Sequence, residues 1–280
     1  MYLWKMCSSS AQKSSDISVQ PGDRIGSHQS VTIGQSALVT QIFISDLHLS
    51  EDRPELTKLF ERFLQGPARQ ADRLFILGDL FDSWAGDDDI DAPFNRQVIS
   101  DLSSCSASGT RIFFTHGNRD FLAGDQLAKS CRMQLLEEIS IAELDDGNAL
   151  LCHGDTLCTD DVDYQRFRRE IRSTEWIGNF LSRPLIERKR IIENLRKRSE
   201  SEKRDKPPTI MDVNSGSVED LFRRHDMSRL IHGHTHRPGR HDHIVENRRC
   251  VRWVLGDWNE HGNYLQCDNQ GMVMHVWRGN

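Results

Sequence analysis

Arg73-Leu74-Phe75-Ile76-Leu77-Gly78-Asp79 is the stretch on which the reading of this chain turns. Four apolar residues follow one another without alternation, and a glycine and a carboxylate end the run. A short continuous apolar run bounded in this way reads as a strand covered on both faces. Its aspartate then stands where the strand leaves the core. The same texture recurs on either side. Gln41-Ile42-Phe43-Ile44 ends at Ser45-Asp46-Leu47-His48, and Arg111-Ile112-Phe113-Phe114-Thr115 delivers Gly117-Asn118-Arg119-Asp120. Asn148 to Cys152 delivers His153-Gly154-Asp155, and Arg229-Leu230-Ile231 delivers Gly233-His234-Thr235-His236.

Between these strands, Leu56, Leu59, Phe60, Phe63 and Leu64 fall at helical spacing over Glu55 to Gln65. Phe94 to Ser104 reads as a second helix, and Cys250 to Leu255 and Gly271 to Trp277 as further strands. Strands alternating with helices imply a layered α/β (α+β) architecture, whose strand-end loops converge on a ligand site. Residues 1–38, rich in Ser, Gln and Gly and without periodicity, read as a disordered extension ahead of a folded domain over 39–280. Within that domain, residues from about 160 to 208 differ in character. From Arg166 to Lys206 there are 14 Lys/Arg against seven Asp/Glu, interleaved with apolar residues such as Trp176, Ile177, Phe180, Leu181, Ile186, Ile191 and Ile192. That pattern predicts helices with one apolar and one basic face, ended by Pro207-Pro208. We read it as a helical cap.

A chain of 280 residues, 37% of them hydrophobic, can bury a substantial core. The net charge of -6 argues against a nucleic-acid partner. Seven scattered cysteines without a C-x-x-C pair read as reduced, buried thiols of a cytoplasmic protein. No run approaches the roughly 18 apolar residues of a membrane-spanning helix, and the first residues lack the apolar core of a secretory signal.

The five strand-end segments together offer Asp46, His48, Asp79, Asn118, His153, His234 and His236. Carboxylate and amide oxygens mixed with imidazole nitrogens suit Mn²⁺, Fe or Zn²⁺. The missing thiolates disfavour structural zinc, and the histidines disfavour Ca²⁺ or Mg²⁺. Seven such groups are enough for two divalent ions, with Asp79 the natural bridge. Two ions close together can activate a shared water and clamp a phosphoryl group. Arg119 can neutralise charge that develops on the phosphoryl oxygens, which makes it the catalytic candidate.

The series D-x-H, G-D, G-N-R, H-G-D and G-H-x-H, in this order over about residues 40 to 260, resembles the calcineurin-like metallophosphoesterases. The resemblance implies a β-sandwich flanked by helices. It assigns Asp46, His48, Asp79 and His236 to one metal, and Asp79, Asn118, His153 and His234 to the other. Many members carry His after the Asn; this chain has Arg119. The longer matches at Gly117 to Leu122, His153 to Asp161 and Ile231 to Pro238 resemble a narrower branch, the UDP-2,3-diacylglucosamine diphosphatases of the lipid A pathway. Ile76 to Phe81 and Ile210 to Asn214 match it too.

That branch implies a manganese-dependent hydrolase. Water activated at two Mn²⁺ attacks the α-phosphorus of UDP-2,3-diacylglucosamine and releases UMP. Substrate contacts carry over to Asn118, Arg119, Asp161, Ser199, Lys203, Lys206 and His234, with Lys203 standing where many members have Asn. The cap then has a purpose, since a nucleotide diphosphate needs cations and acyl chains need an apolar groove. A basic amphipathic face also implies peripheral binding to the cytoplasmic face of the inner membrane. We expect a monomer.

Other residues read more plainly. His116 and His232 lie on the wrong parity for ligation and suit packing. His28, His225, His241, His243, His261 and His275 read as surface residues. Asp87, Asp88 and Asp89 read as a loop cap or a solvated run, Asp120 and Asp155 as residues that orient the site loops, and Cys152 and Cys158 as packing. Two alternatives stand beside the diphosphatase: another metallophosphoesterase, such as a nucleotidase or protein phosphatase, and a non-catalytic scaffold of the same fold. The insertion speaks against the first and the complete ligand set against the second.

Overall fold

Strand and helix alternate from the start of the described chain. In the computed structural model, β1 (Gln41–Ile44) leads through α1 (Pro54–Gln65) to β2 (Arg73–Leu77), and α2 (Pro93–Ala107) leads to β3 (Arg111–Thr115). A short α3 (Asp125–Cys131) precedes β4 (Met133–Leu135), β5 (Ile139–Leu144) and β6 (Gly147–Cys152). Three helices follow in succession, α4 (Val162–Ile171), α5 (Thr174–Leu181) and α6 (Leu185–Asp205), then α7 (Ser215–His225) and β7 (Arg229–His232). Two hairpins complete it: β8 (Gly239–Val245) with β9 (Arg248–Val254), and β10 (Gly262–Asp268) with β11 (Gly271–Trp277). The structure describes residues 39–205 and 212–279, with backbone alone over 198–205. The expectations for residues 1–38, for Lys206 and for Pro207-Pro208 lie outside the described residues.

Among the described residues the strands form two sheets, one six-stranded in the order β11-β10-β1-β2-β3-β4, the other five-stranded in the order β5-β6-β7-β9-β8. Strands β1 to β4 run parallel, as do β6, β7 and β9, so both site-bearing groups point their C-terminal ends the same way within a sheet. Alternation sorts the side chains. Phe43, Phe75 and Phe113 are register partners whose rings stack 4.8 Å apart at 12° and 13°. They face Ala142, Ala149, Leu151 and Ile231 of the second sheet, and this is the core between the sheets. Ile42, Ile44, Leu74, Ile76, Ile112 and Phe114 point the other way, onto the apolar faces of α1, α2 and α3. Leu150, Cys152 and Leu230 meet Val218, Leu221 and Phe222 of α7 on the outside of the second sheet. The expected β-sandwich flanked by helices is the architecture found.

The cap is helical, as its composition predicts, but its residues are used differently from expectation. Trp176, Ile177, Phe180, Ile191 and Ile192 pack on the core beneath the first sheet's helices, so part of the apolar face is structural. Much of the basic face is committed as well. Arg188 pairs with Asp88, Lys189 with Asp89 at 2.7 Å, and Arg196 with Asp82, which fastens α6 to the loop after β2. Asp88 and Asp89 are therefore partners of the cap. Asp87 alone of that run is a helix cap, accepting from the backbone N–H groups of Gly124, Gln126 and Leu127 at 2.9, 2.9 and 3.0 Å at the start of α3.

Candidate metal centre

Each segment reaches the site by leaving its strand abruptly. Asp46, His48, Asp79, His234 and His236 all have positive φ, between 49° and 68°, a region that non-glycine residues seldom occupy. Such strain persists where surrounding contacts over-determine it. Here they do. Asp46 N–H donates to the carbonyl of Gly78 and His48 N–H to that of Asp79, at 3.1 and 2.9 Å, which locks the first two loops together. The carboxylate of Asp120 receives N–H groups from Asp79, Leu80 and Gly117 at 3.2, 2.7 and 2.9 Å and binds the second loop to the third. The loops also touch closely at glycines: a Cβ on Gly233 would stand 2.3 Å from Asp46 Oδ2, and one on Gly117 2.0 Å from Asp79 Oδ1.

The structure brings all seven predicted ligand residues together. Asp46, His48 and His236 present ligand atoms within 4.8 Å of one another, and so do Asp46, Asp79 and His153. His153 Nε2 lies 3.0 Å from Asn118 Oδ1 and 3.2 Å from His234 Nδ1. Its other nitrogen donates to the carbonyl of Leu77 at 2.9 Å, which leaves the Nε2 lone pair facing inward. Asp46 stands closer to both groups than the sequence assignment implied.

Electrostatics and hydrogen bonding both call for cations here. Burial raises the carboxyl of Asp46, but the bond from His236 and the nearby imidazoles of His153 and His48 outweigh it and hold it well below the usual range. Burial, with Asp120 and Asp46 close by, pushes Asp79 up despite His153. Burial pushes His48 down to about 3, so its imidazole is neutral and available as a ligand. His48 Nδ1 is buried without a hydrogen-bond partner and faces Asp79 Oδ2 across 3.8 Å. That gap is too long for a hydrogen bond and suits two ligands of one ion with bonds of about 2.1 Å. The donor set fits divalent metal.

The other predicted site residues are placed unevenly. Arg119 is half-buried beside the centre; its N–H donates to Asp79 Oδ1 at 2.8 Å, and its guanidinium has no ion pair among the described residues. Asp161 caps α4, accepting from the N–H of Tyr164 at 3.1 Å. Ser199 and Lys203 lie on the backbone of α6. His116 donates from Nε2 to the carbonyl of Ala123 at 2.6 Å, and His232 is fully buried against Arg252, both packing roles. His243 is not the surface residue expected: it is half-buried, with Phe222 against its ring and Arg252 beside it. His225 and His275 are also half-buried, the latter stacked on Tyr264.

Two supporting residues escaped the sequence reading. Asp257 lies 3.5 Å from His236 Nδ1 and orients that ligand. Its signal was present, since Gly256-Asp257 after β9 repeats the Gly78-Asp79 texture after β2. Tyr164 stacks on His234 and donates to Asp155 at 3.1 Å; a lone tyrosine in a basic helix carries no such signal.

Comparison with known proteins agrees with this geometry. The calcineurin-like phosphoesterase family signature matches residues 40–238. A UDP-2,3-diacylglucosamine hydrolase from Aromatoleum aromaticum is 49% identical over 83% of this chain and 95% of its own. Proteins of the same description from Tolumonas auensis and Escherichia fergusonii are 46% and 45% identical, over 83% and 80% of this chain and 94% and 93% of theirs. The chain therefore belongs to the calcineurin-like phosphoesterase family and, within it, to the family of the UDP-2,3-diacylglucosamine hydrolases.

Proposed function

We propose that this chain hydrolyses UDP-2,3-diacylglucosamine to UMP and 2,3-diacylglucosamine 1-phosphate, on a centre of two divalent ions with Mn²⁺ as the working metal. The observation that carries the reading is the convergence of all seven candidate ligand side chains beside Arg119, whose guanidinium has no ion pair among the described residues, in a chain 49% identical to a protein named for this substrate. Asp46, His48, Asp79 and His236 would hold one ion, and Asp79, Asn118, His153 and His234 the other. Such ions, when bound, supply the charge that acidifies an attacking water and draws density from the phosphoryl oxygens.

The chain's own residues set up the rest. Leu77 holds the His153 proton on Nδ1, Asp257 orients His236, and Asp120 fixes the loops of Asp79 and Asn118 against each other. Arg119 would neutralise the α-phosphoryl group as the water oxygen bonds to phosphorus. The bridging oxygen then leaves with the sugar phosphate.

Val162, Phe167, Leu181 and Ile186 are exposed apolar residues of the cap, and Arg169 and Arg190 are exposed cations there without an ion pair among the described residues. They support an acyl-chain contact and peripheral docking; we propose that the protein docks as a monomer at the cytoplasmic face of the inner membrane. Flotation with anionic liposomes tests the docking: protein left at the bottom of the gradient refutes it. The activity is tested by UMP release from UDP-2,3-diacylglucosamine with Mn²⁺, with and without chelator. Turnover of p-nitrophenyl phosphate without UMP release would favour another metallophosphoesterase activity.

A further inference from the structure

Helix α4 and its C-cap, Arg172, reach the metal centre at three places, and all three fall on one ligand set. Arg172 donates from Nη2 to the carbonyl of Gly117 at 2.8 Å, one residue before Asn118. The same nitrogen lies 3.5 Å from Asp155 Oδ2, two residues beyond His153. Arg168 Nε donates to that oxygen at 2.6 Å and the Tyr164 hydroxyl donates to it at 3.1 Å. The Tyr164 ring lies over the imidazole of His234, centroids 6.1 Å apart. Asn118, His153 and His234 are thus each backed by a residue of α4 or by its C-cap.

The remaining ligands are backed from elsewhere. His236 leans on Asp257 after β9, and Asp46 receives the N–H of Trp258 on its carbonyl at 3.1 Å. The cap therefore supports one half of the centre.

Asp155 makes this support necessary. Its carboxylate is 2% exposed, and the guanidiniums of Arg168 in α4 and of its C-cap Arg172 pair with it. Removing a partner of a buried ion pair leaves an uncompensated charge, and the loop must move to hydrate it. Here that loop carries His153 two residues before Asp155, with Gly154 between them at a φ of 115°. The Gly117 carbonyl would lose its Arg172 donor at the same time.

We propose that Arg172 is a positioning residue for the Asn118–His153–His234 ion subsite, holding its two loops from the cap together with Arg168 and Asp155. This rests on the two-ion reading of the site. Calorimetric titration of metal-free protein with Mn²⁺ tests it on the parent, Arg172→Met, Arg172→Lys and Arg166→Met. Arg166 is exposed on the same helix, pairs only distantly with Asp163, and serves as the control.

The parent is expected to bind two ions. Arg172→Met should weaken one of them by roughly 10- to 100-fold, the usual effect of removing an outer partner, and leave the other nearly unchanged. Arg172→Lys keeps the charge but not the planar fork, whose Nη2 meets Gly117 and Asp155 while Nη1 meets Glu138 at 3.3 Å, so it should fall between. Arg166→Met should bind as the parent does. A thermal melt of each metal-free variant separates folding from positioning, and Arg172→Lys decides the matter if Arg172→Met does not fold. Parental affinity for both ions in a folded Arg172 variant overturns the proposal, even with a lowered melting point. A parent that binds fewer than two ions removes the two-ion reading, and this proposal with it.

Discussion

Asp79 and Arg119 touch through a backbone hydrogen bond, yet their side chains have separable tasks. Asp79→Ala removes the carboxylate proposed to bridge the two ions, so turnover should fall by roughly 10³-fold or more with loss of bound metal. Arg119→Ala should lower kcat by about 10²–10³-fold while metal content, read by elemental analysis, stays at the parental level. Metal-replete Asp79→Ala would refute the bridging role. His232 permits a test by pH. Burial and Arg252 push its pKa down to about 3, so the folded protein keeps it neutral while the unfolded chain protonates it near 6.5. The unfolded state therefore binds more protons between those values, and folding stability falls as pH drops through that window. At neutral pH and above this residue costs nothing. Compared with His232→Gln in metal-free protein, the parent should lose about 1.4 kcal/mol more per pH unit between about pH 6 and 4. Urea midpoints whose difference does not change with pH would rule this out.

At the level of elements, the continuous apolar runs were read to their limits: Gln41–Ile44, Arg73–Leu77 and Arg111–Thr115 are strands with the bounds the sequence suggests. Strands covered on both faces announce themselves. β8 does not, because Gly239–Val245 is an edge strand of Gly, Arg, His and Asp whose side chains stay largely in solvent. β4 is three residues long, below what periodicity resolves. The cap was visible as helix, whereas its fastening was not. Arg188, Lys189 and Arg196 meet Asp88, Asp89 and Asp82, about a hundred residues earlier in the chain. Arg188 is nearly buried, so its pair should matter more than surface pairs do. Asp88→Asn should raise amide hydrogen exchange along the first turns of α6 and leave β2 protected. Exchange in α6 that is unchanged in the variant would mean that the apolar contacts of Ile191 and Ile192 hold the helix alone.

For the whole molecule, the centre ties the two sheets together, with Asp46, Asp79 and Asn118 coming from one sheet and His153, His234 and His236 from the other. Ions bound there should stabilise the fold as a ligand of the native state does, by about 2.7 kcal/mol at a concentration 100 times Kd. Differential scanning fluorimetry with added Mn²⁺ should show a rising melting temperature, and chelator should reverse it. A melting temperature indifferent to both would argue against an ion spanning the sheets.

The sequence alone determined the seven candidate ligand residues, the succession of strands that deliver them and the presence of a helical cap. These follow from local rules: an apolar run ends where the chain leaves the core, and the residues at that end face a shared loop cluster. Tertiary structure decided what those rules do not reach. It placed Asp46 between both ligand groups, put Asp257 behind His236, committed Arg168, Arg172, Arg188 and Arg196 to carboxylates of the core, and turned Asp161 into a helix cap. Ion pairs and ligand support depend on which distant segments meet in space, and hydrophobic periodicity records which way a side chain faces, not what it will meet.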